Sequence, residues 1–179
     1  MMWIAAHVAG ITAGAALGAT DHGLISQILG TSIISHILGD LIFGGCIGLV
    51  QWFVLYKSFP QKQRHLWLWV PATMAGFAAG ARLGARFAPL VGTNVALVGI
   101  AFGSVMGLCM GIGQWVVIHK TGIFKVGRSG LWIAASVVAW IIGESISFAF
   151  QFQLTVVPFI ALAIALVTEV GLIWWIKPE

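Results

Sequence analysis

Six apolar stretches follow one another along the chain, each close to the about 20 residues that a helix needs to cross the hydrocarbon core of a bilayer. They are residues 2–19, 37–56, 66–87, 92–118, 131–151 and 154–176. Each is continuously apolar rather than alternating, which favours helices over the strands of a membrane barrel. The sequence therefore predicts an all-α polytopic membrane protein with six transmembrane helices in a single domain, residues 1–179.

The composition agrees with a membrane protein and excludes several other classes. Hydrophobic residues make up 60% of the chain and charged residues 8%, too few to cover the surface of a soluble domain. The short loops leave no room for a soluble catalytic domain. The net charge of +4 comes from basic residues at the ends of the apolar stretches, so we expect no nucleic-acid partner.

The basic residues also predict an orientation. Arg82 and Arg86 lie toward one side of the predicted membrane, and the other seven lie on the opposite side: Lys57, Lys62, Arg64, Lys120, Lys125, Arg128 and Lys177. Loops rich in Lys and Arg stay in the cytoplasm. We therefore expect both termini on the cytoplasmic side of a prokaryotic inner membrane, or of a membrane derived from it.

The chain repeats itself. The stretch "GGCIGLVQW" at 44–52 returns as "GLCMGIGQW" at 107–115, an offset of 107 − 44 = 63. A second offset, 69 − 3 = 66, aligns "WIAAHVAGITAGAALGA" with "WVPATMAGFAAGARLGA", and 10 of the 17 positions are identical. These offsets predict a helical hairpin used three times, at 1–57, 66–120 and 131–177. Each hairpin returns the chain to the same side, so the copies are parallel and related by rotation about the membrane normal. The third copy is degenerate, since its second helix lacks the "QW" pair.

Small residues recur at a spacing of four within these hairpins. The stripes are Gly10/Gly14/Gly18, Gly76/Gly80/Gly84 and Ala139/Gly143/Ser147, with Gly44/Gly48 and Gly103/Gly107/Gly111 in the second and fourth stretches. In lipid, close backbone approach through small residues drives helix association. Cys46 and Cys109 lie among these glycines, and we interpret them as small packing residues. No His or Cys stands at metal-ligand spacing, so we expect no metal site.

Two kinds of side chain mark the predicted inner end of the helices. Gln51 and Gln114 lie about 9 Å inside the inner boundary at helical rise, where an amide is expected to bond across helices. Eight of the nine tryptophans fall near the same boundary: Trp3, Trp52, Trp67, Trp69, Trp115, Trp132, Trp174 and Trp175. We interpret them as a one-sided interfacial belt, with Trp140 alone lying deeper.

Three charged residues fall inside the outer half of the predicted membrane. They are Asp40, Arg82 and Glu144, and each aligns with a small residue in the sister copies. Charge at such depth is expensive and marks either an ion-pair group or a functional site. We expect the three to face inward and to find one another. Whether they hold the hairpins together or form an outward-facing polar ligand site stays open.

Three further ionisable residues are weaker candidates. His7 and Glu169 lie at similar inner depths and form a possible polar pair, with a proton-relay role as the functional alternative. His36 falls near the outer surface, where it is either a hydrogen-bonded surface residue or a ligand to a pigment or metal. The preceding segment "ISQILGTSIISH" either lies in the outer interface or turns back at Gly30.

Two short motifs resemble those of an enzyme family. "GRSG" at 127–130 and "AHVAG" at 6–10 are similar to the serine and histidine motifs of rhomboid proteases, which are also six-helix proteins. The resemblance would imply a nucleophilic Ser129 and a general base at His7. However, the order of the motifs along the chain is reversed, the threefold repeat does not fit that fold, and Ser129 is better interpreted as a helix N-cap. We therefore expect no enzymatic activity.

Two classes of function remain. The first is a non-catalytic accessory or structural subunit that packs in a larger membrane complex or holds a lipophilic ligand, a lipid or a pigment. The second is a small-solute transporter, or the substrate-binding component of one, with the polar site in the outward half. Membrane lipids and other membrane subunits are the expected partners.

Overall fold

The computed structural model describes residues 1–18, 24–30, 32–123, 129–151 and 153–175. These residues form helices and short connections, and none of them forms a strand, which confirms the predicted all-α class. The α-helices are α1 (Met2–Gly18), α2 (Leu24–Leu29), α3 (Ile33–Ser58), α4 (Gln63–Leu66), α5 (Trp69–Phe87), α6 (Val95–Thr121), α7 (Leu131–Ala149) and α8 (Val157–Trp175).

Three of these helices are long and apolar enough to cross a membrane. They are α3 with 26 residues, α6 with 27 and α7 with 19. Helix α1 is apolar but has 17 residues, and α5 carries Arg82 and Arg86 near its end. The described helices are thus compatible with a membrane protein.

The segment before α3 turns sharply. Helix α2 ends at Leu29, and Gly30 then adopts a positive φ of 70°, a conformation that glycine reaches without a steric penalty. The hydroxyl of Ser32 accepts a hydrogen bond from the backbone nitrogen of Ser35, and the Ser35 hydroxyl accepts one from the backbone nitrogen of Ser32. This capping box starts α3 at Ile33, four residues before the apolar stretch that the sequence predicted.

The long helices form a closed ring. Helices α1, α3, α5, α6, α7 and α8 each pack against the next in that order, and α8 packs back against α1. The first residues of α1, α5 and α7 meet at one end of the ring, because Trp3, Trp69 and Trp132 contact one another there. We call this the triangle end and the other the opposite end.

Glycines hold neighbouring helices at short range. A Cβ on Gly103 would lie 2.5 Å from the carbonyl oxygen of Trp140 and 2.6 Å from the Cα of Ile141. A Cβ on Gly107 would lie 2.5 Å from the Cα of Val137. Because these neighbours are backbone atoms that cannot move aside, α6 and α7 can approach this closely only with glycine at both positions. The small-residue stripes therefore lie at helix contacts, as expected.

The core divides into two clusters along the ring. The cluster at the triangle end is rich in aromatic side chains and includes Trp3, Leu55, Leu66, Trp69, Ile118 and Trp132. The second cluster extends toward the opposite end and includes Ile11, Ile47, Phe77, Met106, Trp140 and Ile164. The interior is thus closed by large rings at one end, and its other end carries smaller side chains such as Ala15 and Ala81.

Candidate functional site

Three tryptophans meet in the interior at the triangle end. The ring centroids of Trp3, Trp69 and Trp132 are 6.3, 6.1 and 5.9 Å apart, and every pair is edge-to-face. This is the arrangement that aromatic rings prefer. The sequence offsets align these three positions, since 3 + 66 = 69 and 69 + 63 = 132. We call Trp3, Trp69 and Trp132 the tryptophan triangle.

Each indole of the triangle donates a hydrogen bond to a neighbouring helix. Trp69 Nε1 donates to Gln51 Oε1 at 2.9 Å, and Trp132 Nε1 donates to Gln114 Oε1 at 3.0 Å. Trp3 Nε1 donates to Thr168 Oγ1 at 3.0 Å. The three contacts join α5 to α3, α7 to α6 and α1 to α8, so hydrogen bonds of one kind link three of the helix pairs around the ring.

The two glutamines also bond to each other and to further buried groups. Gln114 Nε2 donates to Gln51 Oε1 at 3.1 Å and to Thr73 Oγ1 at 3.2 Å. Gln51 Nε2 lies 2.8 Å from His7 Nε2. The prediction that both amides bond across helices is therefore confirmed. We call Gln51, Gln114, His7, Thr73 and Thr168, with the indoles that donate to them, the amide network.

The geometry fixes the tautomer of His7. Its Nδ1 lies 3.2 Å from the carbonyl oxygen of Trp3, and because a carbonyl only accepts, Nδ1 carries the proton. Nε2 is then the acceptor for the amide of Gln51. With this tautomer, every amide oxygen and nitrogen of Gln51 and Gln114 has a hydrogen-bond partner within the protein. We therefore interpret the amide network as a structural element.

The interpretation of the tryptophans as an interfacial belt is wrong for the tryptophan triangle. Trp3, Trp69 and Trp132 are 4, 0 and 1% exposed, so they lie in the core and do not face lipid headgroups. Trp67 is exposed, and Trp52 and Trp115 are half-buried, as a boundary position allows. The side chains of Trp174 and Trp175 lie outside the described residues. A tryptophan near the membrane boundary gives the same sequence pattern whether its ring points into the core or toward lipid. Only the presence of Gln51 and Gln114 as buried acceptors for the indole N–H could have indicated the inward orientation.

Thr168 is the residue that the sequence analysis missed. In α8 it stands where α3 and α6 have glutamine, and its hydroxyl accepts from Trp3 while donating to the carbonyl of Ile164. Small residues precede it on the buried face, with Ala161 and Ala165 both fully buried. Ala161, Ala165 and Thr168 have the same spacing as Gly44, Gly48 and Gln51: two small residues four apart, then a polar residue three further on. This shared spacing is the sequence signal that could have identified Thr168.

Asp40 and Arg82 form an ion pair near the opposite end. Arg82 Nη2 lies 2.7 Å from Asp40 Oδ2, with side-chain exposures of 36 and 5%. The contact does not have hydrogen-bond geometry, and no described residue accepts a hydrogen bond from the buried Arg82 Nε. The expected contact between Arg82 and a carboxylate is therefore confirmed for Asp40.

Glu144 does not join that pair. It is 9% exposed and lies on the buried face of α7, one helical turn beyond Trp140. Within the described part of the chain, no hydrogen bond or ion pair reaches its carboxylate. The expectation that all three charges find one another is wrong for this residue: Arg82 reaches across the α3–α5 contact, and Glu144 lies on the other side of the ring.

Interior side chains stay buried toward the opposite end. On α5, Thr73 near the triangle is 0% exposed and Ala81 farther along is 7% exposed. On α7, Ala139 is 0% exposed and Glu144, farther along, is 9% exposed.

The other predicted residues have different partners from those expected. Glu169 Oε1 lies 2.7 Å from the backbone ammonium of Met1, while His7 bonds to Gln51, so the proposed polar pair of His7 and Glu169 does not form. His36 lies half-buried in the first turns of α3, and its Nε2 is buried with no partner among the described residues.

The two cysteines and Ser129 are the remaining residues that were considered for metal or nucleophilic chemistry. The described residues contain no group of three or more His, Cys, Asp or Glu able to hold a metal ion, and Cys46 and Cys109 are free and half-buried. Ser129 Oγ accepts a hydrogen bond from Trp115 Nε1 at 3.3 Å. The N-cap interpretation of Ser129 is wrong, because Gly130 occupies that position without any side-chain cap.

Comparison with known proteins gives no assignment: no protein-family model matches the chain, and no curated protein and no solved structure is significantly similar to it.

Proposed function

We propose that the protein is a non-catalytic integral membrane subunit that packs in a larger membrane complex or holds a lipophilic ligand, a lipid or a pigment. In this proposal six helices, α1, α3, α5, α6, α7 and α8, cross the membrane. They form three parallel hairpins, 1–57, 66–120 and 131–177, of which residues 19–23, 31, 152, 176 and 177 lie outside the described part. Both termini face the cytoplasm, and the triangle end is the inner end.

The observation that carries the proposal is the contrast between the two ends of the ring. At the triangle end, large rings and the amide network fill the interior and use their hydrogen-bonding atoms on one another. Such an end offers neither a passage for a solute nor free groups for chemistry. At the opposite end the interior carries the small side chain of Ala81 and the buried carboxyl group of Glu144, which has no partner among the described residues. An interior that is closed at one end suits packing or the holding of a ligand better than the conduction of a solute.

The outer surface of the ring supports the same proposal. Large apolar side chains are exposed on all the long helices, among them Leu49 and Phe53 on α3 and Leu108 and Ile112 on α6. An apolar surface of this extent requires lipid or partner subunits to cover it.

A small-solute transporter, or its substrate-binding component, is the second candidate. It is favoured by the charged side chains near the opposite end, the Asp40–Arg82 ion pair and Glu144, which has no partner among the described residues. Transport would require the tryptophan triangle to open, which would break three hydrogen bonds to neighbouring helices. Uptake of a solute into proteoliposomes that carry the purified chain alone would favour this candidate over the first.

The test of the proposed function is purification in mild detergent from the native membrane. Extracted lipids, pigments and proteins are identified by mass spectrometry, with a second polytopic protein carrying the same tag as the control. We expect a lipophilic compound or a membrane subunit at near-stoichiometric amount that the control lacks. A chain that runs alone, with the same lipids as the control, would contradict the proposal.

A further inference from the structure

Helix α3 carries an exposed apolar stripe that ends in a lysine. Leu49 and Phe53 are 53 and 55% exposed, and the exposed Lys57 follows one turn later. Residues four apart lie on the same face of a helix, so the three side chains share one outward face about 12 Å long. The ammonium nitrogen of Lys57 lies 5.7 Å from the centroid of the Phe53 ring. The positive charge therefore lies directly at the end of the apolar stripe.

The same arrangement occurs on α6. Ile112 and Val116 are 45 and 39% exposed, and Lys120 is exposed as well. All three match the α3 residues at the repeat offset, since 112 − 49, 116 − 53 and 120 − 57 all equal 63. Helices α3 and α6 are also two of the described helices that are long and apolar enough to cross a membrane. We call these two sets the lysine stripes: Leu49, Phe53 and Lys57, and Ile112, Val116 and Lys120.

The two lysines have no counter-charge within the described part of the chain. Glu169 lies at the same end of the ring, but its carboxylate is occupied by the backbone ammonium of Met1 at 2.7 Å. Neither Lys57 nor Lys120 forms a salt bridge with any described residue. Each stripe thus presents an uncompensated positive charge next to an apolar surface that itself requires a partner.

The third hairpin has the apolar part of the stripe without the lysine. The offset of 168 − 51 = 117, which aligns the buried polar residues of the hairpins, places Leu166 and Val170 at the two apolar positions. They are 49 and 57% exposed. The position of the lysine holds Trp174 in the sequence. Two of the three hairpins therefore carry the charge.

We propose that each lysine stripe binds one phospholipid with an anionic headgroup. The lysine ammonium pairs with the headgroup phosphate, which its long apolar stem allows it to reach, and an acyl chain packs along the two apolar side chains. The inference rests on the proposed membrane span with the triangle end inside, and it names the lipid that covers this part of the surface.

The chemistry of the stripes selects this partner over others. The surface is apolar over most of its length and positive at one end, so it fits a molecule with an apolar chain and a terminal negative charge. Anionic lipids of the inner leaflet have this form and attract basic side chains at the membrane surface. A zwitterionic headgroup brings its own ammonium, which competes with the lysine for the phosphate. An acidic protein segment would match the lysine but not the apolar stripe.

The experiment is a lipid titration of the full chain, delipidated in a mild detergent and followed by native mass spectrometry. The probes are phosphatidylglycerol and phosphatidylcholine with the same acyl chains, so that only the headgroup differs. We expect two molecules of phosphatidylglycerol to bind at least fivefold more tightly than phosphatidylcholine, one on each lysine stripe.

Substitutions assign the two sites. Lys57→Gln and Lys120→Gln remove one charge each and should each leave one tightly bound phosphatidylglycerol, and the double variant should leave none. Lys57→Arg keeps the charge and should retain both. Phe53→Ser keeps the lysine but removes the apolar contact, and it should weaken one of the two sites at least threefold. Arg86→Gln, at an exposed position toward the opposite end of the ring, is the control and should retain both.

Several results would overturn the inference. Equal affinities for the two lipids would do so, as would two tightly bound phosphatidylglycerol molecules on the double variant, once circular dichroism shows that it is folded. A loss in Arg86→Gln as large as that in Lys57→Gln would show that net charge, and not the stripes, attracts the lipid. If the lysine variants keep the lipid but lose a protein that copurifies with the unchanged chain, the lysines bind an acidic segment of that protein instead. In each of these cases the proposed function is judged separately, by what copurifies from the native membrane.

Discussion

The indole nitrogen of Trp69 donates a hydrogen bond to Oε1 of Gln51 at 2.9 Å, across the contact between α3 and α5. Trp132 and Gln114 make the same contact at 3.0 Å, 63 residues further along. Two helix contacts are thus held by the same donor and acceptor types.

Replacing Gln51 should weaken the fold. Gln51→Leu leaves the indole of Trp69 and the amide of Gln114 short of an acceptor in the core, and an unsatisfied buried group costs about 1–3 kcal/mol. We expect a loss of that size in the free energy of unfolding, measured by titration with a denaturing detergent. Gln61→Leu, at an exposed position, is the control. Equal stability of the two variants would show that the network contributes nothing.

In the third hairpin, the hydroxyl of Thr168 should have the stabilising role that the glutamine side chain has in the other two, as the acceptor for an indole N–H. Thr168→Val keeps the shape but removes the acceptor for Trp3 Nε1, so we expect a loss of about 1 kcal/mol in unfolding free energy. Thr168→Ser retains the hydroxyl and should lose less. The prediction is wrong if serine and valine destabilise the protein equally.

Two adjacent glycines should respond in opposite ways to alanine. A Cβ on Gly44 would lie 2.9 Å from the Cα of Met74, whereas one on Gly45 would meet only the flexible Met74 side chain at 3.6 Å. Alanine favours the helix by about 1 kcal/mol at either position. Gly45→Ala should therefore be neutral or stabilising in thermal unfolding, and Gly44→Ala should lower the melting temperature. A melting temperature of Gly44→Ala at or above that of Gly45→Ala would contradict the close packing of α3 on α5.

Removal of the Arg82 charge should be rescued by removal of the Asp40 charge. Arg82→Gln leaves a carboxylate that is 5% exposed without its counter-ion. The cost should be smaller than the about 3–5 kcal/mol of a fully buried pair, because the Arg82 side chain is 36% exposed and solvent screens it. We expect the double variant Asp40→Asn/Arg82→Gln to recover most of the loss. Additive losses in this double-mutant cycle would show that the two residues do not interact.

Sequence patterns predicted the helices and the general role of the glutamines. Continuous apolar stretches require helices, and an amide among apolar residues requires a partner, so both conclusions depend on local chemistry alone. The apolar run begins four residues after the start of α3, because the capping box of Ser32 and Ser35 precedes it and starts the helix.

Whether a side chain points into the core or outward could not be predicted from these sequence patterns. Trp3 and Trp69 lie near helix ends, where inward and outward rotations give the same sequence pattern, and the choice depends on acceptors located on other helices. Depth along the helix places Glu144 level with Arg82. Depth does not give the position around the ring, and that position separates Glu144 from the ion pair.

The most direct test of the proposed architecture is the accessibility of single cysteines from the two sides of the membrane. Cys46 and Cys109 are first replaced by alanine, and Gln61→Cys and Thr93→Cys are introduced singly at exposed positions at the two ends of the ring. Intact cells are treated with a membrane-impermeant maleimide, before and after permeabilisation. The account predicts that Thr93→Cys is labelled in intact cells and that Gln61→Cys is labelled only after permeabilisation. Labelling of both cysteines, or of Gln61→Cys alone, in intact cells would contradict it.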